Sequence, residues 1–425
     1  MHVASERSRV LEFIRGLLAL GGVEDYIARL RPKYHPLPRR VPGASSVSPT
    51  TLERRWQLAG ARPLAIADEA SVSGAAHYAH NIEHYIGTIK VPVGIAGPLR
   101  VNGLFAQGDF YVPLATTEAA LVASYSRGAC LLTEAGGCTA VLLNEGVTRA
   151  PGFAFASLEQ ASLFVAWAVG QMEQFREVAE STTRYGKLID LRVTLEGNHA
   201  YLQFEFTTGD AAGQNMVTIA TEAICRYVER HSPIKPDYWF LEANLSGDKK
   251  ASSVSFLAVR GKKVSAEAVI PKPLIESRLR TTAESMTNYW RMAAMGGVMS
   301  GSMGVHGHYA NGLAALFLAT GQDVACVAES AMGVTRFETR GDGDLYASVT
   351  LPNVIVGTIG GGCGLPSQNE ALRILRLEGT GQARALAEIA ASLCLAGELS
   401  IIGAFCSGDF ATAHARLARG KDKSR

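Results

Sequence analysis

Two carboxylates stand in apolar parts of this 425-residue sequence. Glu118 ends the segment 115–118, and Asp323 closes the run 292–322, which contains no Asp, Glu, Lys or Arg. Burial raises the pKa of a carboxyl group unless a cation lies near it. Both acids are therefore candidates for proton transfer, with a helix-dipole carboxylate at 118 and a structural salt bridge at 323 as the alternatives.

Charged and titratable side chains elsewhere could join such a site. Asp248, Lys249 and Lys250 follow the tight turn at 246–247 and precede an apolar segment, 251–259, that we interpret as a strand. A solvated loop would explain the same pattern. His414 titrates in the neutral range, although a single histidine near a terminus is commonly a surface residue.

Two glycine-containing segments are candidates for ligand binding. Residues 210–216, Asp-Ala-Ala-Gly-Gln-Asn-Met, open a predicted helix with small residues, and the free N–H groups at such an end suit a phosphate. A plain capped helix is the alternative. Residues 357–362 contain three consecutive glycines, whose loss of backbone entropy must be offset by a ligand or by close packing.

Composition and missing motifs exclude several classes of protein. Lys+Arg 41 against Asp+Glu 39 leaves a net charge of +2, which gives no basic field for nucleic acid or an anionic membrane. The seven cysteines include no C-x-x-C pair, which favours a reducing cytoplasm and no metal. Residues 1–18 lack the apolar core of a signal peptide. P-loop, Rossmann, nucleophile-elbow and zinc-protease motifs do not occur.

The elements that must position these residues indicate an α+β fold. Hydrophobic periodicity predicts a long helix at 158–181, paired strands at 187–194 and 199–207, and a second helix at 213–230. Helix, two strands and helix make a compact unit of the split βαβ kind.

Further elements flank this unit. Residues 1–70 are expected to form a helical lead-in, and 263–270 a further strand. A helix at 117–130, capped by Thr116 or Thr117, would place Glu118 in its first turn. The uncharged run 292–322 is long enough to span a bilayer, but its glycines and polar residues favour a buried core helix.

Taken in order, these segments resemble the 3-hydroxy-3-methylglutaryl-coenzyme A (HMG-CoA) reductase family. The likeness runs from about residue 83 to 414. It rests on EHYIGTIKVPVGIAGPL at 83–99, VPLATTEAALVASYSR at 112–127, the Asp-Lys-Lys run, Asn311, Gly-Gln-Asp at 321–323 and GTIGGG at 357–362. The sequence around Glu118 resembles that of the class I branch. The membrane anchor of the eukaryotic members of this branch is not expected here.

The resemblance implies a three-part architecture. A helical N-terminal region (1–70) would precede a large acyl-CoA-binding catalytic domain (71–150 and 241–425) built around a central long helix. An inserted ferredoxin-like domain (151–240) would bind NADP(H). The family forms its active site between protomers, which implies a cytoplasmic homodimer or dimer of dimers.

The resemblance also assigns chemistry. The family reduces HMG-CoA to mevalonate and free coenzyme A with two hydrides. Lys249 matches the cation at the thioester oxygen, and His414 the proton donor for the leaving thiolate. Glu118 matches the acid that protonates the aldehyde oxygen, which demands a pKa raised by burial or a neighbouring carboxylate. Asp323 matches the carboxylate that binds the lysine.

Binding residues carry over by position. The substrate contacts implied by the resemblance are Glu83, Ser126, Arg127, Arg149, Asp248, Lys250, His308 and Asn311. The cofactor contacts are Thr183, Arg184, Asp210, Ala212, Gly213, Gln214, Asn215, Gly360, Gly361 and Gly362. Because Arg184 suits the 2′-phosphate of the cofactor, NADPH is expected rather than NADH.

Four positions depart from the family pattern. Ala212 and Gln214 replace methionines, His84 stands where asparagine is usual, and Arg291 lies near the place of a substrate-binding lysine. These changes affect cofactor affinity and substrate fit, and none removes a catalytic group. Two alternatives to HMG-CoA reduction stay open. One is a reductase of a related 3-hydroxyacyl thioester, and the other is a homologue that binds acyl-CoA without turnover. The oxidative direction, from mevalonate with NAD, is also open.

Overall fold

The computed structural model describes residues 11, 12, 14–16, 18, 19, 22–34 and 37–408. The chain folds as two compact units, which divide between Thr88 and Ile89.

The helices of the N-terminal unit include α1 (Val23–Leu30), α2 (Pro49–Leu58) and α3 (Glu69–Ser73). Its small core includes Leu52, Trp56 and Tyr85. His84 has a left-handed backbone with φ 52°, and its N–H donates to the carbonyl of Ala44. Asparagine and histidine both tolerate this conformation better than most residues, which explains why the departure at this position is accommodated.

The second unit is built on one ten-stranded sheet with the central order β7-β4-β6-β3-β8-β10-β9. Its strands are β1 (Val93–Gly103), β2 (Gln107–Ala115), β3 (Cys138–Arg149), β4 (Gly152–Ala154), β5 (Lys187–Glu196), β6 (His199–Thr207), β7 (Tyr238–Phe240), β8 (Gly261–Ile270), β9 (Val334–Arg340) and β10 (Asp344–Val354). Its helices are α4 (Leu121–Glu134), α5 (Leu158–Val169), α6 (Met172–Glu180), α7 (Gln214–His231), α8 (Val254–Leu257), α9 (Lys272–Leu274), α10 (Ala283–Ser300), α11 (Tyr309–Thr320), α12 (Val327–Ser330), α13 (Pro366–Ile374) and α14 (Ala383–Ser407).

Helix α14 lies at the centre of the larger core of this unit. It is long and apolar enough to cross a bilayer, but 83% of its most apolar window is buried inside the protein. Small residues let its neighbours approach closely: a Cβ at Gly128 of α4 would lie 1.8 Å from the carbonyl oxygen of Ala396. This geometry matches the central long helix that the resemblance implies.

A second hydrophobic core is formed by buried residues of α5, α6, β5, β6 and α7. Strands β5 and β6 pair antiparallel from Lys187 opposite Thr207 to Glu196 opposite His199, as the alternation predicts. The long helix predicted at 158–181 is instead two helices, since the chain turns at Gly170 and Gln171. The α+β class is confirmed.

Three local predictions are wrong. The run 292–322 is not one buried helix, because α10 ends at Ser300 with Met292 and Met299 exposed, and α11 begins at Tyr309. The segment 251–259 is a turn followed by α8, not a strand. Helix α4 begins at Leu121, after a left-handed Ala120, so Glu118 precedes it instead of lying in its first turn.

The contact between α4 and α14 yields a stability prediction. We expect Gly128→Ala to lower the free energy of unfolding by at least about 2 kcal/mol, because the new methyl group overlaps a backbone carbonyl that has no room to move. Urea denaturation would measure the change. Gly296→Ala, at an exposed helical glycine with open space around it, is the matched control, and we expect a gain of about 0.5–1 kcal/mol there. Equal stability of the two variants would contradict the packing.

Candidate active site

Lys249 and Asp323 form an ion pair, with Lys249 Nζ 2.9 Å from Asp323 Oδ2. The second carboxylate oxygen accepts the backbone N–H of Ala325 at 3.0 Å. Partial burial alone would raise the pKa of Asp323, but these hydrogen bonds hold it below its ordinary value, and the pair raises the pKa of Lys249. The sequence argument required a cation beside this acid, and Lys249 is that cation. At pH 7 the pair is therefore ionised.

The turn that presents Lys249 is held by buried charges. Asp248 accepts from the guanidinium groups of Arg260 and Arg149, the latter at 3.1 Å. Burial opposes ionisation of this acid, but the two guanidinium groups lower its pKa overall. Lys250 folds back, and its Nζ donates to the carbonyl of Asp248 at 2.9 Å. The Asp-Lys-Lys segment is thus an anchored turn and not a freely solvated loop.

Arg149 is itself fixed from two further sides. Its guanidinium lies 3.2 Å from a carboxylate oxygen of Glu242 and donates to the hydroxyl of Thr218 at 3.0 Å. Thr218 lies on α7, so Arg149 links that helix to the turn at Asp248. Only 8% of the Arg149 side chain is exposed, which leaves little surface for a direct substrate contact within this unit.

Glu118 pairs with an amide instead of a second acid. Asn311 Nδ2 lies 3.2 Å and 3.3 Å from the two carboxylate oxygens of Glu118. The carboxylate is exposed, so the burial expected around Glu118 is not provided by its own unit. His308 lies one turn before Asn311, and its Nδ1 is 3.3 Å from the buried carboxylate of Glu398. Glu398 also accepts the N–H groups of Gly307 and His308, which fixes the start of α11.

The two pairs lie at opposite ends of α11. Asn311 is in the first turn of this helix, whereas Asp323 follows its end at Thr320. Twelve helical residues span about 18 Å. Glu118 and Lys249 are therefore presented from opposite ends of one helix.

Ser126 and Arg127 of α4 are engaged with neighbouring elements. The hydroxyl of Ser126 donates to the carbonyl of Gly97 at 3.2 Å. Arg127 donates to the hydroxyl of Ser400 at 3.0 Å and to its carbonyl at 2.6 Å. These contacts place both residues between β1 and α14.

The two predicted cofactor segments lie against each other. The N–H of Thr358 donates to the carbonyl of Asp210 at 2.9 Å, and a Cβ at Gly357 would lie 2.5 Å from the nitrogen of Ala212. Only glycine permits this approach. The carboxylate of Asp210 accepts the N–H groups of Gly381 and Ala383, so it caps the start of α14.

The triple glycine divides into packed and open positions. A Cβ at Gly362 would lie 2.5 Å from the carbonyl of Gly321, so this residue packs directly beside the Asp323 segment. Gly360 and Gly361 have φ of 80° and 55°, and nothing lies within 4 Å of a Cβ built on either. Close packing therefore explains Gly362, while the open pair provides room for a ligand against the backbone.

The start of α7 reaches the ion pair. Gly213 is left-handed with φ 79° and precedes the first helical residue, Gln214. Gln214 Nε2 lies 3.4 Å from Asp323 Oδ2 and 3.0 Å from the sulfur of Cys326, while Asn215 is exposed. The helix start, the triple glycine and the Lys249–Asp323 pair therefore lie side by side.

Thr183 and Arg184 lie on the connection between α6 and β5. The hydroxyl of Thr183 accepts the N–H groups of Tyr185 and Gly186 at 3.2 Å, which shapes the turn. Arg184 is exposed. Glu83 belongs to the N-terminal unit, where it is exposed, and His414 lies outside the described residues.

Sequence reasoning missed the residues that support the turn, above all Arg260 and Glu329. Both are almost fully buried, and Arg260 Nε lies 2.7 Å from Glu329 Oε2. The signal was available for Glu329, a single acid in the apolar segment 324–331, since the same pattern singled out Glu118 and Asp323. Arg260 directly follows the segment 251–259, which was interpreted as a strand. An arginine at the end of a strand is usually exposed to solvent, so its burial was not predicted.

Comparison with known proteins identifies the relatives of this chain. The family model described as "Hydroxymethylglutaryl-coenzyme A reductase" matches residues 51–419. The 3-hydroxy-3-methylglutaryl-coenzyme A reductase of Pyrococcus horikoshii is 46% identical over 347 residues, covering 80% of this chain and 84% of the relative. The corresponding protein of Aeropyrum pernix is 45% identical over 350 residues, covering 81% and 83%.

Solved structures agree on the fold. A class II 3-hydroxy-3-methylglutaryl-CoA reductase from Streptococcus pneumoniae, bound to NADPH, superposes with a TM-score of 0.64 at 22% identity, covering 83% of this chain and 96% of that one. A second structure of the enzyme from this organism has a TM-score of 0.63, covering 79% and 89%. The matched span and the identity to the archaeal relatives place this chain in the hydroxymethylglutaryl-coenzyme A reductase family.

Proposed function

We propose that this protein reduces HMG-CoA to mevalonate and free coenzyme A, with two NADPH and two protons consumed per turnover. The observation that carries the proposal is the Lys249–Asp323 ion pair, which lies beside the start of α7 and the open glycines at 360–361. Membership of the family indicates the reaction, and the ion pair provides the positive charge, on Lys249, that the reaction needs.

Lys249 would act on the thioester oxygen. Hydride addition to the thioester carbon makes a tetrahedral oxyanion, and a fixed ammonium group stabilises that charge without reorganising solvent. Asp323 keeps Lys249 protonated and oriented, as the raised pKa of the lysine indicates. The same ammonium can serve the aldehyde oxygen in the second reduction.

Two further groups would move protons. Collapse of the thiohemiacetal breaks the carbon–sulfur bond, and His414 is proposed to protonate the departing thiolate. Glu118 is proposed to protonate the aldehyde oxygen during the second reduction, with Asn311 orienting its carboxyl group. Glu118 and Lys249 are presented from opposite ends of α11. An active site that contains both residues is therefore proposed to form where two chains pair.

Residues of this chain fit a dinucleotide phosphate cofactor. The N–H groups at the start of the 18-residue helix α7 are suited to a pyrophosphate, and the open backbone at 360–361 accepts a ligand that a Cβ would exclude. Bound NADPH would supply hydride. Arg184 is exposed on the same unit and is proposed to hold the 2′-phosphate through paired N–H donors.

We further propose a class I enzyme acting as a cytoplasmic homodimer or dimer of dimers. Identity to the archaeal relatives supports the class, since it is twice that to the class II structures. We also propose the division into a helical region at 1–70, a catalytic domain at 71–150 and 241–425, and a cofactor domain at 151–240. The separate core under β5 and β6 supports the last of these.

The reaction is tested by following NADPH absorbance with HMG-CoA and quantifying mevalonate. We expect two NADPH oxidised per mevalonate, and Lys249→Ala is expected to lower kcat at least about 1,000-fold, because it removes the charge that stabilises the oxyanion. Lys272→Ala, at an exposed lysine of α9, is the control and is expected to keep full activity. Binding of HMG-CoA without NADPH oxidation would instead identify a non-catalytic homologue.

The cofactor preference is tested at Arg184. We expect Arg184→Ala to raise the KM for NADPH about 10- to 100-fold and to leave the KM for NADH within about twofold, because only the phosphorylated cofactor loses a charge-assisted hydrogen bond. Steady-state kinetics with both cofactors measure the difference, with Arg278→Ala as a surface control. An equal loss for the two cofactors would contradict the assignment.

A further inference from the structure

Lys249 is held in an unfavourable backbone conformation. Its φ is 55°, in the left-handed region that a residue with a Cβ enters only at an energetic cost. Such strain persists only where the surroundings over-determine the backbone. The ion pair with Asp323 restrains the tip of the side chain but not the peptide group, so the main chain needs a separate restraint.

That restraint is Glu329, at the end of α12. The N–H of Lys249 donates to Glu329 Oε1 at 3.2 Å, and Arg260 Nε lies 2.7 Å from Glu329 Oε2. Glu329 is 0% exposed and Arg260 is 1% exposed. One carboxylate oxygen accepts a hydrogen bond from the N–H of Lys249, and the other lies against Arg260 as an ion pair.

Arg260 connects this carboxylate to the rest of the turn. Its guanidinium also contacts Asp248, which precedes Lys249, and donates to the carbonyl of Thr148 on β3 at 2.8 Å. The backbone N–H of Arg260 donates to the side chain of Asn353 on β10 at 2.8 Å. Glu329 is therefore tied through one buried cation to the sheet, and through one N–H to Lys249.

We propose that Glu329 is a positioning residue, whose buried carboxylate holds the main chain of Lys249 so that the ammonium group reaches Asp323 and the reacting oxygen. The inference rests on the proposed function for its catalytic consequence, but not for its geometric one. Glu329 acts through Lys249 and has no contact with substrate in this account.

The charge on Glu329 is sensitive to pH. Burial raises its pKa to about 7, even though Arg260 opposes that shift. The other titratable groups that face it are Asp248, whose pKa is lowered, and Cys326, whose pKa is raised by burial. Of these groups, only Glu329 changes charge near pH 7. Since its pKa is raised above that of a free glutamate, the carboxyl group is ionised above about pH 7 and protonated below it.

Glu329→Gln tests the proposal. A carboxylate satisfies two donors, whereas an amide presents one oxygen and one NH2 group. Arg260, as the charged donor, is expected to take the oxygen, which leaves the NH2 group facing the N–H of Lys249. We expect kcat for HMG-CoA reduction to fall about 10- to 100-fold, with the KM for NADPH unchanged within about twofold.

Glu388→Gln is the matched control. Glu388 is also 0% exposed, and it accepts the N–H groups of Phe105 and Ala106 at 2.8 Å, in the turn between β1 and β2. The substitution places an amide against buried donors in the same way but away from Lys249. We expect lower stability with kcat within about twofold. An equal loss of kcat in both variants would overturn the proposal, because it would show a general effect of disturbing buried carboxylates.

A measurement on the protein without ligands separates this proposal from the reaction. The ε-carbon resonance of Lys249, from 13C-labelled lysine and assigned with Lys249→Arg, reports the pKa of the ammonium group. We expect this pKa to fall towards an ordinary lysine value in Glu329→Gln and to stay raised in Glu388→Gln. An unchanged resonance in Glu329→Gln overturns the proposal whatever the enzyme reduces. A lowered pKa together with an inactive wild-type protein supports the positioning role and overturns the proposed function.

The wild-type protein provides a second test that does not depend on the folding of a variant. Protonation of Glu329 is expected to loosen its hold on Lys249, so the ε-carbon resonance of Lys249 is expected to show an inflection near pH 7. A resonance that stays constant over the whole pH range in which the protein is folded and Lys249 is protonated would overturn the proposal.

Discussion

The site depends on the interactions that hold the ammonium group of Lys249 in one position, although a lysine side chain is flexible and strongly hydrated. The ammonium group of Lys249 meets Asp323 at 2.9 Å, but a four-carbon side chain on a mobile turn would hold that contact only transiently. Here the turn is held by Asp248 and by the hydrogen bond from the main chain of Lys249 to Glu329. The carboxylates of Asp248 and Glu329 both form ion pairs with the buried Arg260. A charged group that acts on an oxyanion must be in place before the charge appears, and this network would provide that preorganisation in the role proposed for Lys249.

The remainder of the fold brings two kinds of segment to this turn. Helix α11, about 18 Å long, carries Asn311 in its first turn and is followed by Asp323, so the two polar positions lie towards opposite ends of one helix. The glycines at 321, 357 and 362 allow backbone segments to approach within distances that any Cβ would prevent. The glycine excess of the sequence is thus used mainly for contact between segments, and at 360–361 for open space.

The sequence predicted the elements whose pattern is local. Strands β5 and β6 show a clear alternation of apolar and polar residues, and α7 begins at a run of small residues. The bounds of all three elements were therefore predicted within two residues. The acids at 118 and 323 and the lysine at 249 were identified from type and context, and the structure brings two of them into contact. Helix α4 was placed too early because threonines at 116 and 117 are good caps, whereas tertiary packing lets the helix begin only after Ala120.

Partners distant in sequence could not be predicted in this way. The carboxylate of Asp210 caps α14, 173 residues further along the chain, and Arg260 reaches Thr148 across 112 residues. No periodicity encodes such pairs, and they follow only from the order of strands in the sheet.

Lys249 is proposed to stabilise the oxygen of a thioester while hydride reaches its carbon. The most direct test supplies NADPH deuterated at the transferred position together with HMG-CoA, and analyses mevalonate by mass spectrometry. We expect two deuterium atoms on the alcohol carbon with the wild-type protein, and no labelled product with Lys249→Ala even though that variant still binds NADPH. Doubly labelled mevalonate formed at the wild-type rate without Lys249 would contradict it.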